Sequence, residues 1–376
     1  MLDYFFCIFC FLSALNLKIK GLDEFFQDYM ELDNTNCIKG LFIWLIIFHH
    51  KTVYGINKNY LYKDITRNLG QKIVSMFLFY SGFGILESIK RKGFIYTKSL
   101  PIKALVLFLK SQIILFLFFL ANIFILENRV SLKLYCLSVI FKSSLGNSNW
   151  FAFTIIILYC YSFLSFRFIK NQYFIGIIIM TIICLLHIIL VYKFYYPKIV
   201  FAVDTVLCFI LGLFYSYLKI YLDKIIMGND LNYFLFITIT IFIYYKVFSI
   251  TTLFFISITN VLFALIIIFI TMKVQFNNDF LKFLNSHSYS IYLLQRLVFS
   301  IVYKKQIFIN SDFIQISFEF TAIIYISSIF DKCTTFIDNF FRRYSHKNGN
   351  NNYILIEEVN FNNIIHSNLI SLSSKN

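Results

Sequence analysis

Asn36–Lys51, NCIKGLFIWLIIFHHK, is the stretch of sequence that decides the fold: an apolar run with a lysine near its start and two histidines at its end. Such a run is typical of a helix buried in a membrane. Eleven residues separate Lys39 from His50, and at about 100° per residue they return to nearly the same helix face, about 16 Å apart along the axis. An imidazole at the edge of a membrane-deep face is costly to place, so its presence indicates function.

The composition sets the class of protein. Of 376 residues, 59% are hydrophobic, 20% aromatic and only 14% charged. No soluble core of this size needs so much apolar surface, so the sequence predicts an all-α, polytopic membrane protein with about ten to eleven transmembrane helices. We expect spans at residues 1–17, 36–51, 72–86, 104–126, 149–166, 173–192, 199–218, 232–248, 250–271, 287–303 and 312–330.

These spans predict one transmembrane domain over residues 1–346, with an extra first helix at 1–17 and a core at 34–330. The first helix lacks the basic leader and small-residue cleavage site of a signal peptide, so we expect it to be retained, although a cleaved signal is the alternative. Residues 347–376 form a polar, Asn-rich tail that we expect to be disordered.

The net charge of +15 does not indicate a nucleic-acid partner, because the basic residues are scattered through short connections. Anionic lipid headgroups explain it better, and membrane lipids are the expected partners. The densest basic stretch is residues 88–103, and the positive-inside rule predicts that this loop is cytoplasmic.

The cysteines give no sign of disulfides or a metal site. Five of the eight fall inside apolar runs with no pairing pattern, where they act as small hydrophobes. These five are Cys7, Cys10, Cys160, Cys184 and Cys208. The sequence predicts neither a metal nor a bound cofactor.

The face of Lys39 and His50 has two interpretations. As structure, Lys39 extends to a lipid headgroup and His50 caps the helix at the interface. As function, a neutral imidazole near a basic group suits proton abstraction from a hydroxyl. His50 is then the candidate base, and His49, rotated by about 100°, is the second candidate.

Two charged residues fall deep within the last two spans. Arg296 lies eight residues before Lys304, and Glu319 lies seven residues after Asp312. Both are therefore roughly 10–12 Å below the same surface, and we expect them to pair, since unpaired charges at that depth are costly. The pair is either a structural clamp or a charged wall of a cavity.

Four further residues are weaker candidates. His187 and Asp204 flank one turn, where they face one another or are solvated at the interface. Lys110 is expected to extend its ammonium to the membrane surface. Ser81 is expected to permit close helix packing rather than to act as a nucleophile.

Five blocks of the sequence, in order, resemble those of the acyltransferase-3 family of integral-membrane O-acyltransferases. They are Lys39-Gly40 with His50, Phe79–Gly84, Asn149–Phe151, Phe209–Gly212 and Ser290–Gln295. Together they cover about residues 34–303. Lys39 stands where the family commonly has arginine, and Gln295 where many members have histidine. The extra first helix and the His-His pair resemble the branch that acts on bacterial surface polysaccharides.

The resemblance implies an activity. An acyl group, most simply acetyl, would pass from cytosolic acyl-CoA, a donor substrate, to a hydroxyl of a cell-surface or capsular glycan at the cytoplasmic membrane. His50 or His49 would be catalytic. Substrate contacts would come from Lys39, Arg91, Lys98, Lys103, Trp150 and Gln295, with Arg296 and Glu319 as candidate cavity walls. The basic residues among them otherwise serve only to contact lipid.

Two other functions compete with this one. A transporter or flippase of a lipid-linked sugar would also have many spans and buried charges, but the chain shows no internal repeat. A non-catalytic membrane scaffold is the third possibility, and no motif in the sequence favours it.

Overall fold

The computed structural model describes residues 2–54, 69–169, 172–195, 203–307 and 312–347. Within them the protein is almost entirely helical, with one two-stranded β-ribbon. The helices are α1 (Leu2–Ser13), α2 (Leu32–Tyr54), α3 (Gly70–Lys92), α4 (Phe94–Phe124), α5 (Leu132–Val139), α6 (Asn149–Phe166), α7 (Tyr173–Tyr195), α8 (Val206–Ile226), α9 (Asp230–Phe248), α10 (Leu253–Lys273), α11 (Asp279–Ser286), α12 (Ser288–Lys304) and α13 (Asp312–Lys347).

Eight of the helices in the described ranges are long and apolar enough to cross a membrane. The predicted all-α, multi-pass membrane fold is therefore confirmed. Helices α2 and α12 are not among the eight, yet their buried faces lie in the centre of the fold. The predicted polar tail, residues 347–376, lies almost wholly outside the described residues.

The basic stretch at residues 88–103 is helical, contrary to the prediction of a loop. Helices α3 and α4 meet at Gly93, the single residue between them. Its φ of 62° lies in the left-handed region, which glycine adopts without a steric penalty. The lysines and arginine that suggested a loop instead lie on the last turn of α3 and the first turns of α4.

Helix α2 lies against two neighbours through glycines. A Cβ atom at Gly40 would collide with the carbonyl oxygen of Leu281 in α11, and one at Gly70 would collide with the ring of His49. Lys39 approaches Tyr80 of α3, so α2 and α3 are antiparallel. We call the end of the bundle with His50 and Gly70 the histidine end, and the end with Gly93 the basic end.

Helices α3 and α8 run parallel and in close contact. A Cβ atom at Gly82 would collide with the carbonyl oxygen of Phe209, and one at Gly212 with that of Phe79. Gly84 differs, because the space beside its Cα atom is open. Small residues thus permit close helix contact at Gly82, as the sequence suggested, and leave an open volume at Gly84.

The segment before α2 covers the basic end of the bundle. Lys18–Ile19 pairs antiparallel with Val274–Gln275. The backbone N–H groups of Asp23 and Asp230 each donate to the other residue's carboxylate, at 2.7 and 3.0 Å. These contacts attach the polar segment before α2 to the start of α9 and the end of α10.

Candidate functional site

A cavity of about 200 Å³ lies between α2, α3, α4, α6 and α12. Its wall from α3 is formed by Val74, Phe77, Ser81 and Gly84. Their spacing of three and four residues defines one helix face. Ser81 therefore lines open space, which corrects the expectation that it serves close packing.

The wall from α2 includes Asn36, Lys39 and Ile43. His50 lies seven residues beyond Ile43, which is two helical turns and the same face, about 10 Å farther along the axis. The cavity therefore extends from the basic end along the face of α2 that carries His50.

His50 is buried at the histidine end of this face, with 9% of its surface exposed. Its ring centroid lies 6.1 Å from that of Tyr292, which also lines the cavity. Gln295 and Arg296, one turn farther along α12, lie beside the imidazole. One aromatic ring thus separates the cavity from a small polar group around His50.

Three polar atoms of this group have no hydrogen-bond partner among the residues that the structure describes. They are Nδ1 of His50, Oε1 of Gln295 and Nε of Arg296. Gln295 donates from its amide nitrogen to the carbonyl of Tyr292, 3.1 Å away, and its oxygen lies near the His50 imidazole without a well-formed hydrogen bond. Since buried polar atoms normally find partners, these three point to a ligand or water at this position.

His49 has a different environment, as its rotation on the helix predicts. Its ring packs on Gly70 at the start of α3, and its centroid is 5.5 Å from that of His50. It is half-buried and does not line the cavity.

Two lysines contribute positive charge to the cavity. Lys39 lies over the ring of Tyr80, with its ammonium 6.0 Å from the centroid. Lys103 is buried, donates to the hydroxyl of Tyr96 at 3.1 Å and lies 4.2 Å from that ring. Both lysines and both tyrosines line the cavity.

The other predicted substrate-binding residues lie outside the lining. Arg91 and Lys98 are exposed at the basic end. Trp150 is half-buried at the start of α6, where its neighbour Phe151 lines the cavity instead. Of the basic residues between positions 88 and 103, Lys103 is therefore the one that reaches the cavity wall.

The predicted Arg296–Glu319 pair is wrong. Glu319 is fully buried and accepts hydrogen bonds from the ammonium of Lys51, at 2.6 and 2.8 Å, and from the amide of Gln315, at 3.0 Å. Lys51 belongs to α2, which continues to Tyr54, and its ammonium also lies 4.7 Å from the ring of Tyr303. The cation that reaches Glu319 is therefore next to His50 in sequence.

Two of the weaker expectations also need correction. His187 shares a 3.1 Å hydrogen bond with Tyr161 and does not face Asp204. Lys110 forms a 2.9 Å ion pair with Asp338 of α13 rather than extending to the surface.

One polar cluster in the structure was not predicted from the sequence. His287 Nδ1 lies 2.6 Å from a carboxylate oxygen of Asp331, and the hydroxyl of Ser290 donates to the other oxygen. This cluster joins the start of α12 to α13, directly behind Ser288 and Tyr289 of the cavity wall. A histidine 44 residues before an aspartate gives no sequence signal for such a contact.

No family model, curated protein or solved structure matches this chain. The function is therefore argued from the cavity and from the sequence blocks alone.

Proposed function

We propose that this protein is an O-acyltransferase that uses acyl-CoA, in the simplest case acetyl-CoA, to acylate a hydroxyl of a cell-surface or capsular glycan. One observation carries the proposal: the cavity with two lysines follows the face of α2 that leads to His50, whose Nδ1 has no hydrogen-bond partner within the described ranges. The resemblance to the acyltransferase-3 family supports it independently.

Acyl transfer from a thioester needs a base for the attacking hydroxyl. In the proposed reaction His50 takes the hydroxyl proton while the oxygen attacks the thioester carbonyl. The carbon–sulfur bond then breaks, and CoA leaves as a thiolate that acquires the proton. Gln295 and Arg296, next to the imidazole, have the N–H groups to stabilise the negative charge on the carbonyl oxygen.

The donor carries phosphates that need positive charge. Lys39 and Lys103 provide it at the part of the cavity nearer the basic end. If the 88–103 segment faces the cytosol, as its charge predicts, the donor enters from the cytosol and the glycan approaches from the histidine end. The membrane is then the cytoplasmic membrane.

A flippase of a lipid-linked sugar is the competing function, and deletion of the gene separates the two. Loss of an acyltransferase removes ester-linked acyl groups, seen by NMR of the purified glycan, while the glycan persists. Loss of a flippase removes the surface glycan itself, and that result would contradict the proposal.

Complementation with two histidine variants tests the role of His50. His50→Ala should fail to restore acylation, with activity reduced by about 10²–10⁴-fold, which is typical for a general base. His49→Ala is the matched control and should retain much of the activity, because that ring packs on Gly70. Equal membrane abundance of both variants, checked by immunoblot, is required. An active His50→Ala variant would overturn the assignment.

A further inference from the structure

Toward His50, the cavity is bounded by Val74 of α3 and by three aromatic side chains from different helices: Phe77 of α3, Phe151 of α6 and Tyr292 of α12. We call these three rings the aromatic cap. The ring centroids of Phe77 and Phe151 are 6.3 Å apart, and those of Phe151 and Tyr292 are 5.1 Å apart. The cap therefore closes the cavity at the point where Tyr292 meets the His50 ring.

The proposed reaction fixes where the acyl group must lie. With the phosphates near Lys39 and Lys103, the pantetheine arm occupies the cavity and the thioester lies at the cap, within reach of His50. The acyl chain then points from the carbonyl against the rings of the cap, which limit its length.

The cap is held in place on both sides. Tyr292 is 97% buried, since its exposed fraction is 3%, and its ring lies between those of Phe151 and His50. Phe151 also touches the Trp150 ring, 6.5 Å away. Well-packed rings resist displacement, so an added methylene meets a wall rather than a flexible surface.

We propose that the aromatic cap restricts the donor to short acyl groups, and that Phe151 is the specificity-determining residue. This inference rests on the proposed function. Of the three rings, Phe151 is the one that packs on both of the others, so its removal opens the cap while Tyr292 and His50 remain in place. The chemical class of substrate is thus a short-chain acyl thioester, with acetyl the best fit.

The test measures binding of a series of acyl-CoA esters to the full-length protein in lipid nanodiscs, by displacement of labelled acetyl-CoA. One methylene that does not fit a pocket typically lets a protein discriminate between two substrates by roughly 10–200-fold. The wild-type protein should therefore bind hexanoyl-CoA at least about 10-fold more weakly than acetyl-CoA.

In Phe151→Ala this preference should disappear or invert, because a buried methylene contributes ~0.8 kcal/mol, or about 4-fold in affinity, once it has room. Phe153→Ala is the matched control: Phe153 is also half-buried on α6 but packs on Phe141, 5.5 Å away, outside the cavity lining. It should keep the wild-type preference. Phe151→Leu, a milder change, should shift the preference in the same direction if the alanine variant does not fold.

Two results would overturn the inference, and they differ. If wild-type protein binds acetyl-CoA but Phe151→Ala and Phe151→Leu keep its chain-length preference, the cap does not set specificity while the proposed function stands. If wild-type protein binds no acetyl-CoA, the proposed function fails and this inference fails with it.

Discussion

His50 and Lys51 are adjacent on α2 and both buried, yet their polar atoms have different surroundings. The Lys51 ammonium bonds both oxygens of Glu319, and Gln315 completes the carboxylate's contacts. In the part of the chain that the structure describes, Nδ1 of His50, the Gln295 oxygen and Arg296 Nε have no hydrogen-bond partner. Loss of one member of a satisfied buried pair leaves an uncompensated charge, so the Lys51–Glu319 pair is a structural contact. Buried polar atoms without a partner are candidates for contact with a ligand or water. Two neighbouring residues of α2 thus belong to different features: Lys51 to a structural ion pair and His50 to the candidate site.

The largest expected effect is on stability, at Lys51. Lys51→Met leaves the Glu319 carboxylate buried without its cation, which typically costs about 3–5 kcal/mol. Thermal unfolding in nanodiscs should show a large decrease in stability. Adding Glu319→Gln to Lys51→Met should recover most of it, because no uncompensated charge then remains.

The control for this change is the exposed pair of Lys20 and Glu24, 3.3 Å apart. Lys20→Met should cost less than about 1 kcal/mol, as exposed ion pairs do. A Lys51→Met protein as stable as Lys20→Met would show that the Lys51–Glu319 pair is not a clamp.

The next effect is on donor binding. Lys39→Ala and Lys103→Ala should each weaken acetyl-CoA binding by about 10–100-fold, since a hydrogen bond to a charged group contributes roughly 1.5–3 kcal/mol. Lys98→Ala is the matched control, because Lys98 is exposed and outside the cavity lining. Titration of labelled acetyl-CoA checks all three; equal weakening by Lys98→Ala would mean that the basic surface, not the cavity, binds the donor.

A smaller effect is expected on stability at His50. His50→Gln nearly preserves side-chain volume and removes an imidazole whose Nδ1 has no hydrogen-bond partner among the described residues. The free energy of unfolding should therefore change by less than about 1 kcal/mol, within the usual range for substitutions that break no network. A loss as large as that of Lys51→Met would make His50 a structural residue.

The smallest effect is a pH dependence of stability that arises from Glu127, just after the end of α4. The ammonium of Lys305, 2.7 Å away, lowers the pKa of the Glu127 carboxylate. A lowered folded-state pKa stabilises the protein above the ordinary carboxyl range, and that contribution is lost as the pH falls through the lowered value. Because both side chains are largely exposed, the effect should be small and weakened by salt. Thermal scans of wild type and Glu127→Gln should converge at acidic pH; a constant difference at all pH values would contradict the assignment.

The helices were largely predictable, because long apolar runs have few alternatives in a membrane. The error at Gly93 arose from the basic residues around it, which suggested a loop. Lysines at a helix end can extend to the headgroups without ending the helix, so charge alone does not locate a turn.

The partner of Glu319 could not be predicted from the depth of each charged residue in the membrane. Arg296 and Glu319 were placed at the same level by counting residues, but pairing also depends on how each helix is rotated about its axis. Lys51 was the last residue of the expected span 36–51 and was not considered as a partner, whereas α2 continues to Tyr54 and brings its ammonium to Glu319.

The aromatic cap was not predicted either, although Phe151 and Tyr292 lie in two of the sequence blocks, Asn149–Phe151 and Ser290–Gln295. The chain has 49 phenylalanines and 26 tyrosines, so Phe151 and Tyr292 do not differ in type from dozens of lipid-facing or packed rings. By contrast, the helical period places Lys39 and His50 on one face, and only the neighbouring helices determine that a cavity runs along it.

The most direct test of the account is photolabelling with an acetyl-CoA analogue that carries a photoreactive group near its thioester. The account predicts that labelled peptides map to the cavity walls, in particular to Tyr289 and Tyr292 of α12 and Phe151 of α6, and that excess acetyl-CoA prevents the labelling. Labelling confined to the outer, lipid-facing surface of α9, with none in α6 or α12, would contradict it.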